Sequence, residues 1–445
     1  MKRHLFTLIV YSLSCLVLAQ QPIRPNGTRQ EASTSIAKWS DPLLASCSPR
    51  DEAVDLSYDN ASLYAKIPSL TTRKVVALGE SLPYNECFAQ SAIQILKYRI
   101  QHANCKLVAL ELPLEAALMI DRFAIGDNTF NRKAISRRFW LSGLSDSFLD
   151  FFAWLRTYNE KQVRKVRVVG IDVAEDEFLG YDIDLHRYFT ALNKDSANDS
   201  IRKFVKTFLG GAPMTNGLFG RLLEIPEFRL RNDPSTLKLI EHNLKDLVKY
   251  RDEALKEKRD SIMYSNLRFA TDLFCDASET VTLYGRLTHT SYTPLVGSSA
   301  IQQETCGKLL RRDFGDDYRN IGLLAGTGSV LSLPALDKSV DMRGKVDYIT
   351  QGISAPPRSL EALLQKVGKA YFYMPTASLP QSFSRMGLKG GMADTLTIEK
   401  NVGDIMDGAL YIEEARPLKV IRADIPVWQK RDEYIREKDT IIPWE

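Results

Sequence analysis

Residues 73–80 have the sequence RKVVALGE, a short apolar run rich in valine that ends in a glycine and a glutamate. A run of this length, bounded by charged residues and glycine, is typical of a buried β-strand that enters a loop. Two later runs repeat the pattern: 106–110 (KLVAL) is followed by Glu111, and 166–170 (VRVVG) is followed two residues on by Asp172. Each of these three predicted strands therefore carries a carboxylate at its carboxyl end.

Segments with helical periodicity separate the predicted strands. Helices are predicted at 88–103, 145–159 and 302–314, and the interval 234–274 predicts one long helix or a broken pair. Further strands are predicted at 280–285, 320–325, 369–374 and 408–413. Alternation of strands and helices indicates an α/β fold with a mostly parallel central sheet flanked by helices. We expect a helical insertion at about residues 190–275 to line the site.

The carboxyl edge of such a sheet is where ligands bind. Here that edge is predicted to collect Glu80, Glu111 and Asp172, and the strand at 280–285 adds Arg286. Clustered carboxylates can raise the pKa of one member and so provide a base near neutral pH. An arginine can pair with one of them or hold an anionic group of a substrate. The alternative is an internal ion-pair network that only ties the strand ends together.

The overall charge excludes one class of partner. The 445 residues contain 59 Lys and Arg against 55 Asp and Glu, a formal net charge of +4. Nucleic-acid binding needs a clustered basic excess, so we expect no nucleic-acid partner.

The sequence also shows no pattern typical of a metal or cofactor site. It has no CxxC and no Cys/His cluster of the zinc type, and the GTGS sequence at 326–329 lacks the lysine of a P-loop, so we expect no metal and no cofactor. The GTGS segment itself predicts a plain turn. The oligomeric state is left open.

The first nineteen residues predict export. A basic stretch at 1–4 precedes an apolar run at 5–18, which is too short to span a membrane, and a small residue precedes Gln20. This arrangement is typical of a cleavable signal peptide and predicts a secreted or periplasmic protein without stable membrane insertion. We expect a linker and lead-in at 20–69, the α/β domain at 70–430 and a tail at 431–445. One or two disulfides are plausible in an oxidising compartment.

Five stretches, in order, resemble the erythromycin esterase family, and the resemblance covers roughly residues 70–425. They are VVALGE at 75–80, LVALE at 107–111, FFAWLRTYN at 151–159 with VVGID at 168–172, the pattern RD--M--N formed by Arg259, Asp260, Met263 and Asn266, and DGALYI at 407–412. The resemblance implies an α/β domain of the erythromycin esterase type. It also implies hydrolysis of an ester or lactone by activated water.

The chain departs from the family pattern at its histidines. The family opens with GExxHGxxE, whose histidine is the general base, whereas residues 79–86 read GESLPYNE. Pro83 stands in the place of that histidine, or one residue is deleted so that Glu86 keeps the place of the second acid. A second family signature, HNxH, corresponds to GRLTH here. Gly285 and Arg286 replace the His-Asn pair, and His289 falls one position late. Proline cannot take a proton from water.

Two hypotheses follow from the resemblance and these departures. In the first, a carboxylate or His289 replaces the missing base, Glu80 and Glu111 orient water, and Arg286 stabilises an oxyanion. In the second, the same site binds a small ligand without turnover, because the family histidines are lost. A metal- or haem-binding protein is a third class, which the wider superfamily permits but for which ligand clusters are missing. The candidate catalytic residues are Glu80, Glu111, Glu86 and His289, and the candidate substrate-binding residues are Arg286, Asp172, Tyr84 and Tyr284.

Overall fold

A mixed sheet holds nine of the strands in the part of the chain that the computed structural model describes. That part comprises residues 53–57, 60–132, 135, 144–172, 224, 226–230, 232–250, 259–295, 304–332, 340–341, 345–346, 349–357, 359–379, 385–386, 396–397 and 401–419. The chain from residue 49 onward clusters as one unit. The predicted leader, most of the linker and the C-terminal tail lie outside the described residues.

Most strands of the sheet run parallel. The strands in chain order are β1 (Val54–Asp55), β2 (Val75–Glu80), β3 (Cys105–Pro113), β4 (Arg167–Asp172), β5 (Thr280–Arg286), β6 (Tyr318–Ser332), β7 (Val340–Asp341), β8 (Lys345–Val346), β9 (Ile349–Ser354), β10 (Tyr371–Pro375), β11 (Arg385–Met386), β12 (Leu396–Thr397) and β13 (Gly408–Ala415). The spatial order is β1-β10-β13-β6-β2-β5-β3-β4, with β9 paired to β6. The segment from β13 to β4 is parallel, whereas β1, β9 and β10 pair antiparallel.

Helices connect and cover these strands. In chain order they are α1 (Ser69–Thr72), α2 (Glu86–His102), α3 (Leu114–Ala124), α4 (Ser147–Glu160), α5 (Pro226–Leu230), α6 (Pro234–Tyr250), α7 (Arg259–Phe274), α8 (Leu287–Thr290), α9 (Cys306–Phe314) and α10 (Leu360–Gln365), with short 3-10 turns between some of them. Side-chain caps fix several helix starts. The Oδ1 of Asn85 accepts from the amide of Cys87 at 2.9 Å, and the hydroxyl of Thr305 accepts from Lys308 at 3.0 Å.

The central strands are buried on both faces, which is why their sequences are continuous apolar runs and do not alternate. All six residues of β2 are buried, and β4 is buried from its second residue onward. Phe148, Phe151 and Phe152 of α4 join one core cluster with these strands. This packing fixes the carboxyl ends of β2, β5, β3 and β4 side by side, since they are consecutive neighbours in the sheet.

The structure confirms the predicted α/β class and refines two of its elements. The interval 234–274 is a pair of helices, because the ring of His242 in α6 stacks on Phe269 in α7 with centroids 4.1 Å apart. A continuous helix would separate these two residues by about 40 Å. The turn predicted at 326–329 is wrong, since these residues continue β6 and pair with both β13 and β9. Gly328 adopts φ 119° there, a backbone conformation that residues with a Cβ atom rarely adopt.

Four cysteines fall in the described ranges, and all four are free thiols: Cys87, Cys105, Cys275 and Cys306. No disulfide therefore joins any two of these four, although one or two bridges were expected among the five cysteines that follow the leader. None of the helices in the described ranges is both long enough and apolar enough to cross a membrane.

Candidate active site

A histidine between two carboxylates forms the centre of the carboxyl edge. His289 lies in α8, the short helix that follows β5, and is buried. Its Nδ1 lies 3.0 Å from both carboxylate oxygens of Asp260, at the start of α7. Its Nε2 lies 3.5 Å from Oε1 of Glu111 at the end of β3. The amide of Cys306 donates to Asp260 at 2.8 Å, so both the histidine and a helix start hold that carboxylate in place.

The side chain of Glu111 lies against Gly285 of β5, a position without a side chain. The backbone amide of Arg286 donates to Oε2 of Glu111 at 2.5 Å, and the Nε of the same arginine lies 3.6 Å from Oε1. A Cβ on Gly285 would come within 2.9 Å of Oε2 and 3.1 Å of the Cβ of Glu111. The absence of a side chain at Gly285 therefore makes room for the Glu111 carboxylate, which lies beside His289.

A second ion pair closes the side of the site next to β4. Arg259 binds Asp172 through two hydrogen bonds, Nε to Oδ1 at 2.8 Å and a terminal nitrogen to Oδ2 at 2.6 Å. The same terminal nitrogen lies 3.6 Å from Oε1 of Glu111. Asn266 of α7 donates to the carbonyl of Ile171 at 2.9 Å and so fixes the end of β4 against the helix. This bidentate pair neutralises Asp172 and leaves Arg286 as a half-exposed cation, with 48% of its side chain accessible.

Glu80 and Tyr84 face the opposite part of the edge. Glu80 and Arg286 occupy paired register positions on β2 and β5. Within the described ranges no group donates a hydrogen bond to the Glu80 carboxylate, which is buried. Tyr84 follows in the loop after β2, is 8% exposed, and lies in the electrostatic field of Glu80, Glu111 and Arg286. The arrangement places an acid, a phenol and a guanidinium within electrostatic reach of one another.

Burial and charge shift the protonation of three of these groups. Desolvation, and next the negative charge of Glu111, raise the pKa of Glu80 well above its ordinary value, with Arg286 opposing. Burial raises the pKa of the Tyr84 phenol. Burial of His289 disfavours its charged form, but Glu111 and Asp260 outweigh that effect, so its pKa lies above the ordinary value. The site therefore favours the protonated form of Glu80 and raises the basicity of the imidazole.

Two predicted site residues lie elsewhere. Glu86, expected as a catalytic acid, is buried under four donors at the start of α2. Tyr284, expected to bind substrate, is 4% exposed and packs in the core, where its ring lies 5.2 Å from that of Phe148. The position of Tyr284 explains this difference. It lies in register with Leu78, inside the sheet and short of its edge.

Sequence reasoning missed Asp260 and Arg259 as site residues, although both were quoted in the RD--M--N pattern. They are the first two residues of α7. The helix start brings them to the ends of β3 and β4, where one orients His289 and the other binds Asp172. The RD--M--N pattern is the signal that could identify them. Without that pattern, two adjacent charged residues at a helix start are expected on the solvated face of the helix. Among the described residues, no cluster of three or more His, Cys, Asp and Glu side chains could hold a metal ion.

Comparison with known families decides the classification. A sequence model described as erythromycin esterase matches residues 100–209 and 230–414, more than half of the chain. The chain belongs to the erythromycin esterase family. The match includes Glu111, Asp172, Asp260 and His289, whereas Glu80 and Tyr84 precede its first matched residue. A comparison with curated proteins finds no match.

Solved structures share the fold of this erythromycin esterase family member at low sequence identity. A protein from Bacillus cereus is 17% identical with a TM-score of 0.61, over 86% of this chain and 100% of its own. A protein described as a succinoglycan biosynthesis protein is 14% identical with a TM-score of 0.61, over 86% and 98% of the two chains. A histidine-to-asparagine mutant of the erythromycin esterase EreC, in its open conformation, is 14% identical with a TM-score of 0.53, over 82% and 96%.

Proposed function

We propose that this family member is an exported hydrolase that cleaves an ester or lactone by direct attack of water. The observation that carries the proposal is the placement of His289 between Asp260 and Glu111. Nε2 of His289 and Oε1 of Glu111 are 3.5 Å apart, so one water molecule can contact both at ordinary hydrogen-bond distances of about 2.8 Å. Asp260 at Nδ1 holds the imidazole in the orientation that general-base catalysis requires.

The base side of the site takes the proton of the attacking water. Neutral His289 accepts it at Nε2 while the water oxygen bonds to the carbonyl carbon of the substrate. The imidazolium that forms lies between the carboxylates of Asp260 and Glu111, which stabilise its charge. Because the same carboxylates raise the pKa of His289, the fraction of neutral imidazole that can act as the base increases with pH. In this proposal His289 takes the role of general base that the resemblance assigns to a histidine of the family signature.

The donor side of the site, formed by Arg286, Glu80 and Tyr84, stabilises the charge that develops on the substrate. The guanidinium of Arg286, half exposed at the sheet edge, is suited to bind the oxyanion of the tetrahedral intermediate. Protonated Glu80 is suited to give its proton to the leaving alkoxide as the carbon–oxygen bond breaks. Tyr84 contributes a phenol hydroxyl that binds the substrate. The products are a carboxylic acid and an alcohol, and the proton on His289 returns to solvent or to Glu80.

A second candidate function is binding of a small ligand without turnover. The observation that favours it is the degree of internal pairing. Asp172 is neutralised by Arg259, and His289 in its protonated form completes a pair with Asp260 and Glu111. A histidine held protonated in this way cannot accept a proton from water. In that case the carboxyl edge is an ion-pair network beneath a ligand site, and the catalytic function of the family is lost.

The experiment that separates these functions is mass spectrometry of a panel of esters and macrolactones incubated with residues 20–445, in search of products that have gained one water. Glu80→Gln serves as the blank, because the amide preserves the shape of the side chain but cannot release a proton to an alkoxide. Product with the wild-type protein and none with the variant supports the hydrolase. Retention of panel compounds on the wild-type protein without any product supports the binding function. Export is tested separately by sequencing the N-terminus of the secreted chain.

A further inference from the structure

The segment that follows β13 crosses the loop that carries Tyr84. We refer to residues 416–419 as the strap. The amide of Glu86 donates to the carbonyl of Arg416 at 2.9 Å, and the amide of Leu418 donates to the carbonyl of Tyr84 at 3.0 Å. Asn85 and Pro417 form an antiparallel bridge between these two bonds. The strap and the loop are thus paired like two short strands.

Glu86 joins the strap to two helices. Its Oε2 accepts from the amide of Lys419 at 2.9 Å and from the hydroxyl of Ser145 at 2.5 Å. Its Oε1 accepts from Ser147 at 2.5 Å and from Gln90 at 3.1 Å. Four donors satisfy both oxygens, and the residue is 1% exposed. The carboxylate therefore has no exposed oxygen with which to touch a substrate, which separates it from Glu80 and Glu111.

Further hydrogen bonds hold the strap on both sides of Glu86. The amide of Asp146, just before α4, donates to the carbonyl of Lys419 at 2.9 Å. On the other side, the Nε of Arg416 donates to the sulfur of Cys87 at 3.2 Å, and a terminal nitrogen donates to Gln90 at 3.1 Å. The strap is therefore held between α2 and the start of α4, with Glu86 at the centre.

Tyr84 is the residue that needs this restraint. It is not glycine, yet its φ is 64°, in the left-handed region that side chains disfavour. Its carbonyl accepts two amides, Leu418 of the strap at 3.0 Å and Leu331 of β6 at 3.4 Å. Such a conformation persists only where the surroundings hold it. The ring that this residue carries is buried in the electrostatic field of Glu80, Glu111 and Arg286.

We propose that Glu86 is a positioning residue that acts through Tyr84, by clamping the strap onto the loop so that the phenol stays at the donor side of the site. The proposal rests on the proposed function to the extent that Tyr84 binds the substrate. It assigns the acid that sequence reasoning placed among the catalytic residues to a different role. Substrate never contacts Glu86, and the strap, although remote in sequence, determines where the phenol lies.

A conservative change at Glu86 should release the clamp. In Glu86→Gln an NH2 group replaces one of the two carboxylate oxygens. An NH2 group can only donate, so it meets hydrogen-bond donors at a position where an acceptor is needed. The amide of Lys419 cannot reverse its role, because a backbone N–H only donates. The side-chain carbonyl oxygen that remains can still accept from Lys419, but without the negative charge this bond is weaker, and Ser147 and Gln90 must reorient to accept from the new NH2 group. We expect loosening of the strap and of the bond from Leu418 to Tyr84. A shift of about 1 Å in a substrate-positioning group can cost on the order of 100-fold in rate.

The first test needs no substrate. Protein labelled with fluorotyrosine gives a fluorine NMR signal for Tyr84, assigned by its disappearance in Tyr84→Phe. We expect that signal to shift or broaden in Glu86→Gln, together with faster hydrogen exchange at the Leu418 amide. The matched control is Glu279→Gln, a buried carboxylate that accepts from the amide of Asp276 at 3.0 Å and pairs with Arg164 at 2.8 Å, in the loop before β5. An unchanged Tyr84 signal in Glu86→Gln overturns the proposal, whether or not the protein hydrolyses anything.

The second test uses any substrate that the panel provides. Glu86→Gln should lower kcat/KM about 10- to 100-fold. In a Tyr84→Phe background, the same change should alter kcat/KM by less than about twofold, because the group through which Glu86 acts is gone. Equal effects in both backgrounds overturn the proposal, since they indicate a general loss of structure. If Glu86→Gln does not fold, Ser147→Ala removes one of the four donors and is expected to give a weaker form of both effects.

Discussion

His289 and Asp260 are 29 residues apart in the chain, yet Nδ1 of the imidazole lies 3.0 Å from both oxygens of the carboxylate. The contact joins α8, which follows β5, to the start of α7. Because Asp260 also accepts from the amide of Cys306, its carboxylate is held from a third element, α9. The imidazole is thereby directed toward Glu111. This relationship gives the chain a candidate base at the carboxyl edge of the sheet.

The rate of hydrolysis should depend on the deprotonation of His289. We expect kcat/KM to rise with pH through a midpoint above 6.5, because Glu111 and Asp260 raise the pKa of the imidazole despite its burial. Asp260→Asn removes one of these charges and should move the midpoint to lower pH while reducing the maximal rate by about 100-fold or more. The pH–rate profiles of both proteins test this. A midpoint below 6.5 in the wild-type protein contradicts the assignment of the base.

Glu80 should destabilise the fold when it is ionised. Its pKa is raised in the folded protein, so its favourable contribution is complete below about pH 4.5 and is lost as the pH rises through the folded pKa. Glu80→Gln should therefore melt about 2 °C or more above the wild-type protein at pH 8, and the difference should shrink toward pH 4. Glu279→Gln, which loses the pair with Arg164, should melt lower than the wild type. A Glu80→Gln protein that is less stable at pH 8 disproves this reading.

Gly285 should be required for the position of Glu111. A Cβ at this residue would lie 2.9 Å from Oε2 of Glu111, so Gly285→Ala must displace the carboxylate from His289. We expect at least about a tenfold loss of turnover and a lower pKa for His289, measured by NMR titration of the imidazole. Gly352→Ala is the matched control, because its added Cβ would meet no atom within 4 Å among the described residues, its two chain neighbours aside. Equal activity of the two variants would remove Glu111 from the mechanism.

Arg99 should be a large contributor to stability, although it lies away from the site. The residue is fully buried and donates to Thr282 at 2.9 Å, to the carbonyls of Arg73 and Val281 at 3.2 Å each, and to that of Leu70. Burial lowers the pKa of its guanidinium to about 10, so it stays charged at neutral pH. Arg99→Met removes the donor that these four acceptors share and should cost about 3 kcal/mol or more in urea unfolding.

A surface arginine provides the control for that measurement. Arg132 pairs with Asp150 at 2.5 Å, and their side chains are 52% and 74% exposed. Arg132→Met should change the free energy of unfolding by less than about 0.5 kcal/mol, since solvent screens an exposed pair. Similar losses for both variants would show that the buried hydrogen bonds of Arg99 carry no special weight.

Much of the fold follows from short-range patterns. The runs at β2, β3 and β4 are apolar over their whole length because both faces of the central sheet are covered, and that pattern is visible without a structure. The carboxylates after them were correctly placed at one edge, since parallel strands end together. By contrast, β6 extends from Tyr318 to Ser332, far beyond the predicted 320–325. Its glycines suggest a turn, but pairing with strands on both sides keeps them within the strand.

The roles of individual acids were harder to predict because they depend on contacts between distant segments. Glu86 lies six residues after Glu80, yet a strap more than 300 residues later supplies one of the four donors that satisfy its carboxylate. Asp260 begins a helix with a charged surface pattern, and only tertiary packing shows that its oxygens meet His289. Sequence periodicity reports which face of an element is apolar, and it carries no information on which polar groups meet across elements.

The most direct test of the central claim is the turnover number of His289→Gln beside the wild-type protein, on whichever ester or lactone the panel identifies. The variant keeps a polar side chain of similar size but cannot accept a proton from water at neutral pH. The account predicts a fall of about 100- to 10,000-fold in kcat, with the melting temperature near that of the wild type. Turnover within about threefold of the wild-type value would show that His289 is not the base and would contradict the account.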